Sequence, residues 1–85
     1  MKNIASKKLV VGNIPMNCGE ARLRTLFEQA GAVASIDVSL DRKTGKTRGF
    51  AIVEMQTTVE AEDAVKLLNG AIVDGRQIAV NRSEP

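Results

Sequence analysis

The sequence predicts a two-layer α+β domain in which two helices cover one face of a four-stranded antiparallel sheet, in the order βαββαβ. Two observations predict this fold. Two segments carry apolar residues at helical spacing, and four shorter segments are β-branched or alternate apolar with polar residues. The 85 residues suffice for one small domain. The second face of such a sheet is open to water, so that face is the candidate working surface.

The first strand and the first helix are predicted near the N-terminus. KLVVG, from Lys8 to Gly12, is β-branched and apolar, and the Asn-Ile-Pro sequence after it interrupts this pattern. An apolar stripe at the spacing i, i+3, i+4 and i+7 then predicts a helix, and its members are Leu23, Leu26, Phe27 and Ala30. Residues 17–19 suit the cap of this helix, and we expect Gly31 to end it.

The second and third strands are predicted on either side of a basic turn. Residues 33–40 alternate between apolar and polar side chains. The apolar residues of the inner side are Ile36, Val38 and Leu40, and Asp37 and Ser39 lie on the other side. The segment GFAIVEM, residues 49–55, alternates in the same way. RKTGKTR, residues 42–48, connects the two strands, and we expect the chain to turn at Gly45.

The second helix carries a complete start signal. Thr57 and Glu60 have the spacing of a capping box, in which each side chain binds the backbone N–H of the other residue. Asn69 and Gly70 are expected to end the helix. The apolar stripe between these signals consists of Ala61, Ala64, Val65 and Leu68.

The last predicted strand follows an Asp-Gly turn at residues 74–75. RQIAVN, residues 76–81, is short, and we expect Ile78 and Val80 to face the core.

The composition is that of a soluble globular domain, with 44% hydrophobic and 26% charged residues. No apolar run approaches the ~18 residues of a membrane span, and the N-terminus lacks the ~7 to 15 apolar residues of a secretory signal. We therefore expect a cytoplasmic protein without a membrane partner. Residues 1–7 are predicted to form a flexible segment, residues 8–82 the domain, and residues 83–85 a tail.

The available side chains exclude most enzyme classes. The chain has no histidine and one cysteine, Cys18, so it cannot form an internal disulfide or the Cys and His sets of zinc sites. It also lacks a histidine base, a Cys/His pair, a nucleophile elbow and a P-loop. We predict no enzyme activity, no catalytic residue, no metal site and no cofactor, and we expect Cys18 to be inert.

The charges are unevenly placed along the chain. Through Arg48, nine Lys and Arg residues face four Asp and Glu, whereas from Gly49 onward three face six. Four of the cations lie within residues 42–48. Such a run either meets a polyanion or is a solvated loop, and the charges alone leave both interpretations open.

Two segments carry a resemblance to a known family. RGFAIVEM, residues 48–55, resembles the octapeptide signature of the RNA recognition motif and agrees at five of its seven specified positions. LVVGNI, residues 9–14, looks like the hexapeptide signature of that family without its aromatic residue. The similarity covers residues 8–81 and is greatest to the small single-domain members of bacteria and cyanobacteria. It implies a ferredoxin-like fold that binds single-stranded RNA on its open sheet face.

The resemblance also implies where bases would stack. The three aromatic positions of the family pattern fall on Val10, Phe50 and Ile52, and strand alternation turns all three outward. Only Phe50 is aromatic. Two absent rings remove about 2 to 6 kcal/mol of stacking at most. We therefore expect weak binding, about 10-fold or more below that of a relative with all three rings.

We expect bases to contact the three stacking positions and Arg48 to form a salt bridge with a phosphate. The cations of the basic turn would hold the RNA backbone, and polar groups at the last strand would make further contacts. The predicted RNA-binding residues are Lys8, Val10, Asn13, Arg42, Lys43, Lys46, Arg48, Phe50, Ile52, Gln77, Asn81 and Arg82. Single-stranded DNA is a second candidate ligand. The alternative function is an adaptor with little RNA binding, whose aliphatic sheet face at Val10 and Ile52 docks a protein segment or a second copy of the domain.

Overall fold

The helices and strands follow the predicted order in a computed structural model that describes residues 7–83. Residues 1–6 and 84–85 lie outside the described part, and most of the predicted flexible segment and of the predicted tail lies with them. The elements are β1 (Lys8–Gly12), α1 (Glu20–Phe27), β2 (Val33–Leu40), β3 (Thr47–Met55), α2 (Thr58–Leu68), β4 (Ile72–Val73), β5 (Arg76–Gln77) and β6 (Ala79–Arg82).

The main sheet has four antiparallel strands in the order β2-β3-β1-β6. The register of the central pair runs from Lys8 opposite Glu54 to Gly12 opposite Phe50. Because β1 and β3 are neighbours, the two signature segments lie side by side at the centre of the sheet. Both helices pack on one face, which confirms the predicted ferredoxin-like α+β fold.

The core forms between the helices and the inner face of the sheet. Alternation along β1 and β3 buries every second side chain, namely Leu9, Val11, Ala51, Val53 and Met55. Leu23 and Phe27 of α1 and Ala61, Ala64 and Leu68 of α2 meet them. Phe27 is completely buried, so only Phe50 is an aromatic residue that a ligand can reach.

The predicted last strand is divided in two. Asp74 (φ 49°) and Gly75 (φ 84°) form a tight turn, and this turn pairs residues 76–77 with Ile72–Val73 in a separate hairpin. Only Ala79–Arg82 joins the main sheet, next to β1. The Asp74 carboxylate accepts two hydrogen bonds from Arg22 of α1, at 2.9 and 3.2 Å, and they lower the pKa of Asp74.

Leu40 is 51% exposed, so its predicted inward orientation is wrong. The β2–β3 register shifts between Val38, opposite Ala51, and Leu40, opposite Thr47. The irregular pairing breaks the strict alternation from which the inward position was inferred.

The two helices begin differently. The predicted capping box of α2 is present, with Thr57 and Glu60 bonding each other's backbone N–H at 3.1 Å. The first helix starts at Glu20 with Gly19 as its N-cap, within the residues 17–19 that were expected to cap it, but glycine has no side chain and so provides no side-chain cap bond. The first helix ends at Phe27, before the end that was expected at Gly31. Gly31 leaves room for the Glu60 side chain, because a Cβ at position 31 would lie 2.5 Å from it.

Candidate nucleic-acid interface

Phe50 lies on the open face of the sheet, and its side chain is 47% exposed. Its partner across the β1–β3 ladder is Gly12, and Ala79 is the next neighbour in the same row, on β6. A Cβ placed at Gly12 would meet no atom within 4 Å, so the space above this part of the sheet is open. The neighbours of the phenyl ring in this row, Gly12 and Ala79, thus add only backbone and one methyl group. We call this shallow surface the low floor, and it leaves room for a planar ligand.

The adjacent row is aliphatic at its centre. Val10 pairs with Ile52, and Asp37 and Asn81 flank this pair on β2 and β6. Val10 is 37% exposed, while Ile52 is half-buried. The row offers apolar contact area but no ring on which a base can stack.

The third row brings a carboxylate to the face. Glu54 lies opposite Lys8 on β1 and opposite Ser35 on β2. The Ser35 hydroxyl donates to Glu54 Oε1 at 3.5 Å. Opposite charges face each other here, so this row attracts a phosphate less than its lysine alone would.

The start of β3 is distorted, and the distortion fixes the orientation of Arg48 and Phe50. Gly49 has φ +105°, a backbone conformation that residues other than glycine rarely adopt. Buried Thr47 stabilises it, because its Oγ1 accepts from Gly49 N at 3.2 Å and donates to the Ser39 carbonyl at 3.3 Å. Arg48 is exposed two residues before Phe50.

The basic loop is a compact turn organised by one carboxylate. Asp41 Oδ1 accepts from the backbone N–H groups of Lys43, at 2.8 Å, and Thr44, at 3.1 Å. These backbone bonds, with Thr44 the larger contributor, lower the pKa of Asp41. The side chains of Arg42, Lys43 and Lys46 are exposed around the turn. The loop thus presents cations while its acidic residue is occupied by internal hydrogen bonds.

The side chains of Asn13, Gln77 and Arg82, which are predicted contact residues, bind other parts of the domain. Asn13 (φ 59°) donates to the Gln77 carbonyl at 2.8 Å and accepts from Arg76 at 2.6 Å. The Gln77 amide donates to the Gly70 carbonyl at 3.3 Å, and Gln77 belongs to the hairpin rather than to the main sheet. Arg82 forms an ion pair with Glu62 of α2 at 2.8 Å. These contacts tie the hairpin and the last strand to the rest of the domain.

The remaining predicted residues lie on the strands of the main sheet or are exposed in the connection between β2 and β3. They are Lys8, Val10, Arg42, Lys43, Lys46, Arg48, Phe50, Ile52 and Asn81.

A family comparison decides which proteins share this arrangement. Residues 9–79 match the model of the RNA recognition motif. The chain belongs to the RNA recognition motif family. Members of this family are in general not enzymes.

Individual relatives agree with the family. The domain is 46% identical over 78 residues to the 28 kDa chloroplast ribonucleoprotein of Spinacia oleracea, covering 92% of this chain and 34% of that protein. The RNA recognition motif of Rna15 with bound RNA (GU) superposes with a TM-score of 0.89 at 26% identity, over 94% of this chain and 85% of that one. The crystal structure of RNA binding protein PG1 has a TM-score of 0.84 and 37% identity, over 92% and 94%.

The curated relatives are longer proteins. The domain spans about a quarter to a third of the length of the chloroplast ribonucleoproteins that it matches. Because these relatives are chloroplast proteins, they do not confirm the predicted similarity to bacterial and cyanobacterial members or the predicted cytoplasmic location.

The structure adds two residues that the sequence did not single out, Met16 and Arg76. Both line a cleft of about 510 Å³ that also includes the start of β3. The side chain of Arg76 also donates to Asn13, 63 positions away in sequence. The Asp-Gly turn at residues 74–75 predicts a hairpin before Arg76, but no local pattern indicates this distant partner.

Other candidate chemistry is limited within residues 7–83. Cys18 is buried, and burial raises the pKa of its thiol, which agrees with an inert residue. No cluster of three or more metal-ligating side chains occurs in this part of the chain. Neither of its helices is long and apolar enough to cross a membrane.

Proposed function

We propose that this RNA recognition motif domain binds single-stranded RNA across its open sheet face, weakly and with little sequence preference. The half-exposed ring of Phe50 beside the low floor at Gly12 and Ala79 is the observation that carries the proposal. Phe50 stacks on one base, and Val10 and Ile52 support its neighbours by apolar contact. Arg48 pairs with a phosphate.

Weak binding follows from the side chains around the ring. Val10 and Ile52 stand where the family pattern has aromatic residues, and each base stacked on a ring contributes about 1 to 3 kcal/mol. Asp37 and Glu54 add negative charge to the same face. These features lower the affinity relative to a domain with three exposed rings.

Low sequence preference follows from the kinds of contact available. Stacking and phosphate pairing do not distinguish one base from another, whereas hydrogen bonds to base edges do. The amide groups of Asn13 and Gln77 are engaged within the protein, which leaves Asn81 as the amide most accessible to a base on this face.

The relatives support RNA as the ligand. The chloroplast relatives are named ribonucleoproteins, and the similar Rna15 structure holds RNA. Single-stranded DNA remains a second ligand to be tested, because bases of both nucleic acids stack. A non-enzymatic role in the cytoplasm of a bacterial or cyanobacterial cell stays part of the proposal.

The decisive experiment measures binding of a fluorescent single-stranded oligouridylate by anisotropy, with the DNA equivalent alongside. Phe50→Ala removes the stacking ring and is expected to weaken RNA binding by about 5- to 100-fold. Leu67→Ala is the matched control, because Leu67 is an exposed apolar residue on α2, away from the sheet face. Unchanged affinity in the Phe50 variant contradicts the proposed site.

An adaptor function rests on the same face. Val10 and Phe50 expose apolar area next to half-buried Ile52, and such a patch also suits a protein segment or a second copy of the domain. Sedimentation velocity at low salt distinguishes the two functions. Self-association without any response to RNA favours the adaptor, whereas a monomer that sediments with RNA favours the proposed function.

A further inference from the structure

A cleft lies at the start of β3, next to the segment that carries Phe50. Its walls come from three segments distant in sequence: the β1–α1 connection, the turn and start of β3, and Arg76 of β5. The cleft residues are Ile14, Met16, Asp41, Thr44, Lys46, Thr47, Arg48, Gly49 and Arg76. Exposed Arg48, two residues before Phe50 on β3, lines the cleft, so the cleft adjoins the part of the strand that carries the ring. Its volume of about 510 Å³ is within the range of small-molecule sites.

The cleft attracts anions. Lys46, Arg48 and Arg76 line it and take part in no ion pair within residues 7–83. The one acidic lining residue, Asp41, accepts from the backbone N–H groups of the turn, at 2.8 and 3.1 Å, and its charge also interacts with Arg48, so three cations face a single carboxylate. The balance of charge at the cleft is therefore positive.

Arg76 is held in position. Its Nη2 donates to Asn13 Oδ1 at 2.6 Å, and Asn13 is fixed in turn by donating to the Gln77 carbonyl at 2.8 Å. The contact with Asn13 is to a neutral amide, so the positive charge of the guanidinium is not balanced there. An arginine has five N–H donors, and the bond to Asn13 uses one of them. The others are available to a phosphate.

The cleft also has an apolar wall. Met16 is 60% exposed and Ile14 is buried beneath the surface. A thioether makes favourable contacts with aromatic rings, and a nucleobase is such a ring. A phosphate site beside an apolar wall matches the two parts of a nucleotide better than it matches a free inorganic anion.

We infer that this cleft binds one further nucleotide of the RNA strand, with its phosphate at Arg76 and Lys46 and its base against Met16. The inference rests on the proposed function, because it requires a strand that already lies on Phe50. It extends the binding surface beyond the sheet to a subsite that involves two residues without a place in the sequence-based prediction.

The experiment is an anisotropy titration of the full chain with fluorescent oligouridylates from two to about eight nucleotides long. In the wild-type protein the affinity is expected to rise when the oligonucleotide becomes long enough to reach the cleft. Arg76→Ala and Lys46→Ala should each weaken the long oligonucleotides by about 5- to 20-fold and leave the shortest unchanged. Met16→Ala should act in the same direction.

Two controls make the result specific. Lys66→Ala removes the same charge from α2, away from the cleft, and should leave every length unchanged. Arg76→Ala also removes a hydrogen bond to Asn13, whereas within residues 7–83 Lys46 forms hydrogen bonds through its backbone only, so Lys46→Ala tests the cleft without disturbing Asn13.

The outcomes separate the two proposals. If Phe50→Ala weakens binding at all lengths but no cleft variant acts in a length-dependent way, the subsite is wrong and RNA binding by the sheet stands. Equal losses at all lengths in the cleft variants also overturn the subsite. If neither the wild-type protein nor Phe50→Ala responds to RNA of any length, the proposed function itself fails.

Discussion

Single residues decide how strongly the open face binds. Phe50 is accessible because its row neighbours are Gly12 and Ala79, the two smallest side-chain types. Gly49 contributes through its backbone, since its φ of +105° sets the path of the chain between Arg48 and Phe50. The sequence indicated an exposed Phe50 by alternation alone, but the low floor beside it depends on β6, whose register no local pattern encodes.

The aliphatic positions next to Phe50 provide a test by gain of function. Ile52→Phe places a ring where the family pattern has one, and Val10→Tyr does the same on the neighbouring strand. Each is expected to strengthen binding of single-stranded RNA by about 5-fold or more, because an added stacked base contributes at least about 1 kcal/mol.

The measurement is anisotropy with the same oligonucleotide, and thermal melts check that the fold is retained. Val59→Phe adds a ring on the exposed surface of α2 and serves as the control. If the sheet variants bind no better than this control, the two positions do not meet bases and the adaptor function gains support.

The helices and strands differ in how well the sequence predicts them. The capping box and apolar stripe of α2 are local signals, and both predictions are confirmed. The single last strand was wrong because the Asp-Gly turn at residues 74–75 pairs Arg76–Gln77 backwards with Ile72–Val73. Leu40 was misplaced because the irregular β2–β3 register interrupts alternation. Both failures concern pairing partners rather than the strand character of the segments.

The N-terminus of α2 makes stability depend on pH. Glu60 accepts from Ala32 N at 3.0 Å and from Thr57 N at 3.1 Å, and these bonds, the one from Ala32 first, lower its pKa below the ordinary value of 4.5. A lowered folded-state pKa means that the charged form stabilises the fold. This contribution is complete above the unfolded-state pKa and is lost as the pH falls through the folded-state pKa.

Glu60→Gln is therefore expected to lower the melting temperature at neutral pH. An amide lacks the charge and offers one acceptor oxygen in place of two, so the bonds to Ala32 and Thr57 cannot both be kept. The difference from the wild-type protein should shrink as the pH is lowered through the acid range below 4.5, because the wild-type carboxyl also loses its charge there.

Melting curves between neutral and acid pH test this expectation. Glu28→Gln, at an exposed position after α1, is the matched control and should show little change. A difference between Glu60→Gln and wild type that stays constant across the pH range argues that the carboxylate charge does not support the junction of α2 with β2.

At the scale of the whole molecule, the uneven charge along the chain becomes a separation in space. The acidic residues Glu60, Glu62 and Asp63 lie on or near the start of α2, which covers the closed face of the sheet. Of the cations of residues 42–48, Lys46 and Arg48 line the cleft, and Arg42 and Lys43 are exposed in the same loop. The sequence showed the asymmetry, but the cleft that joins Lys46, Arg48 and Arg76 arises only when segments about 30 to 60 positions apart meet, as in the contact of Arg76 with Asn13.

This separation predicts how RNA binding responds to salt. The net charge is only +2, so attraction by the molecule as a whole is small and local contacts dominate. Each phosphate neutralised on a single strand contributes about −0.7 to the slope of log affinity against log salt. Lys43→Gln removes one exposed cation of the loop, and we expect the slope to become shallower by about 0.7.

Lys66→Gln is the control, because it removes one positive charge at an exposed position on α2 and so changes the net charge by the same amount. Affinities measured over a range of salt concentrations should therefore separate two proteins of identical net charge. If Lys66→Gln keeps the wild-type slope and Lys43→Gln has a shallower slope, the basic loop contacts a phosphate. Equal slopes in the two variants instead assign the salt dependence to overall charge, and the basic turn is then the solvated loop that its charge pattern also allows.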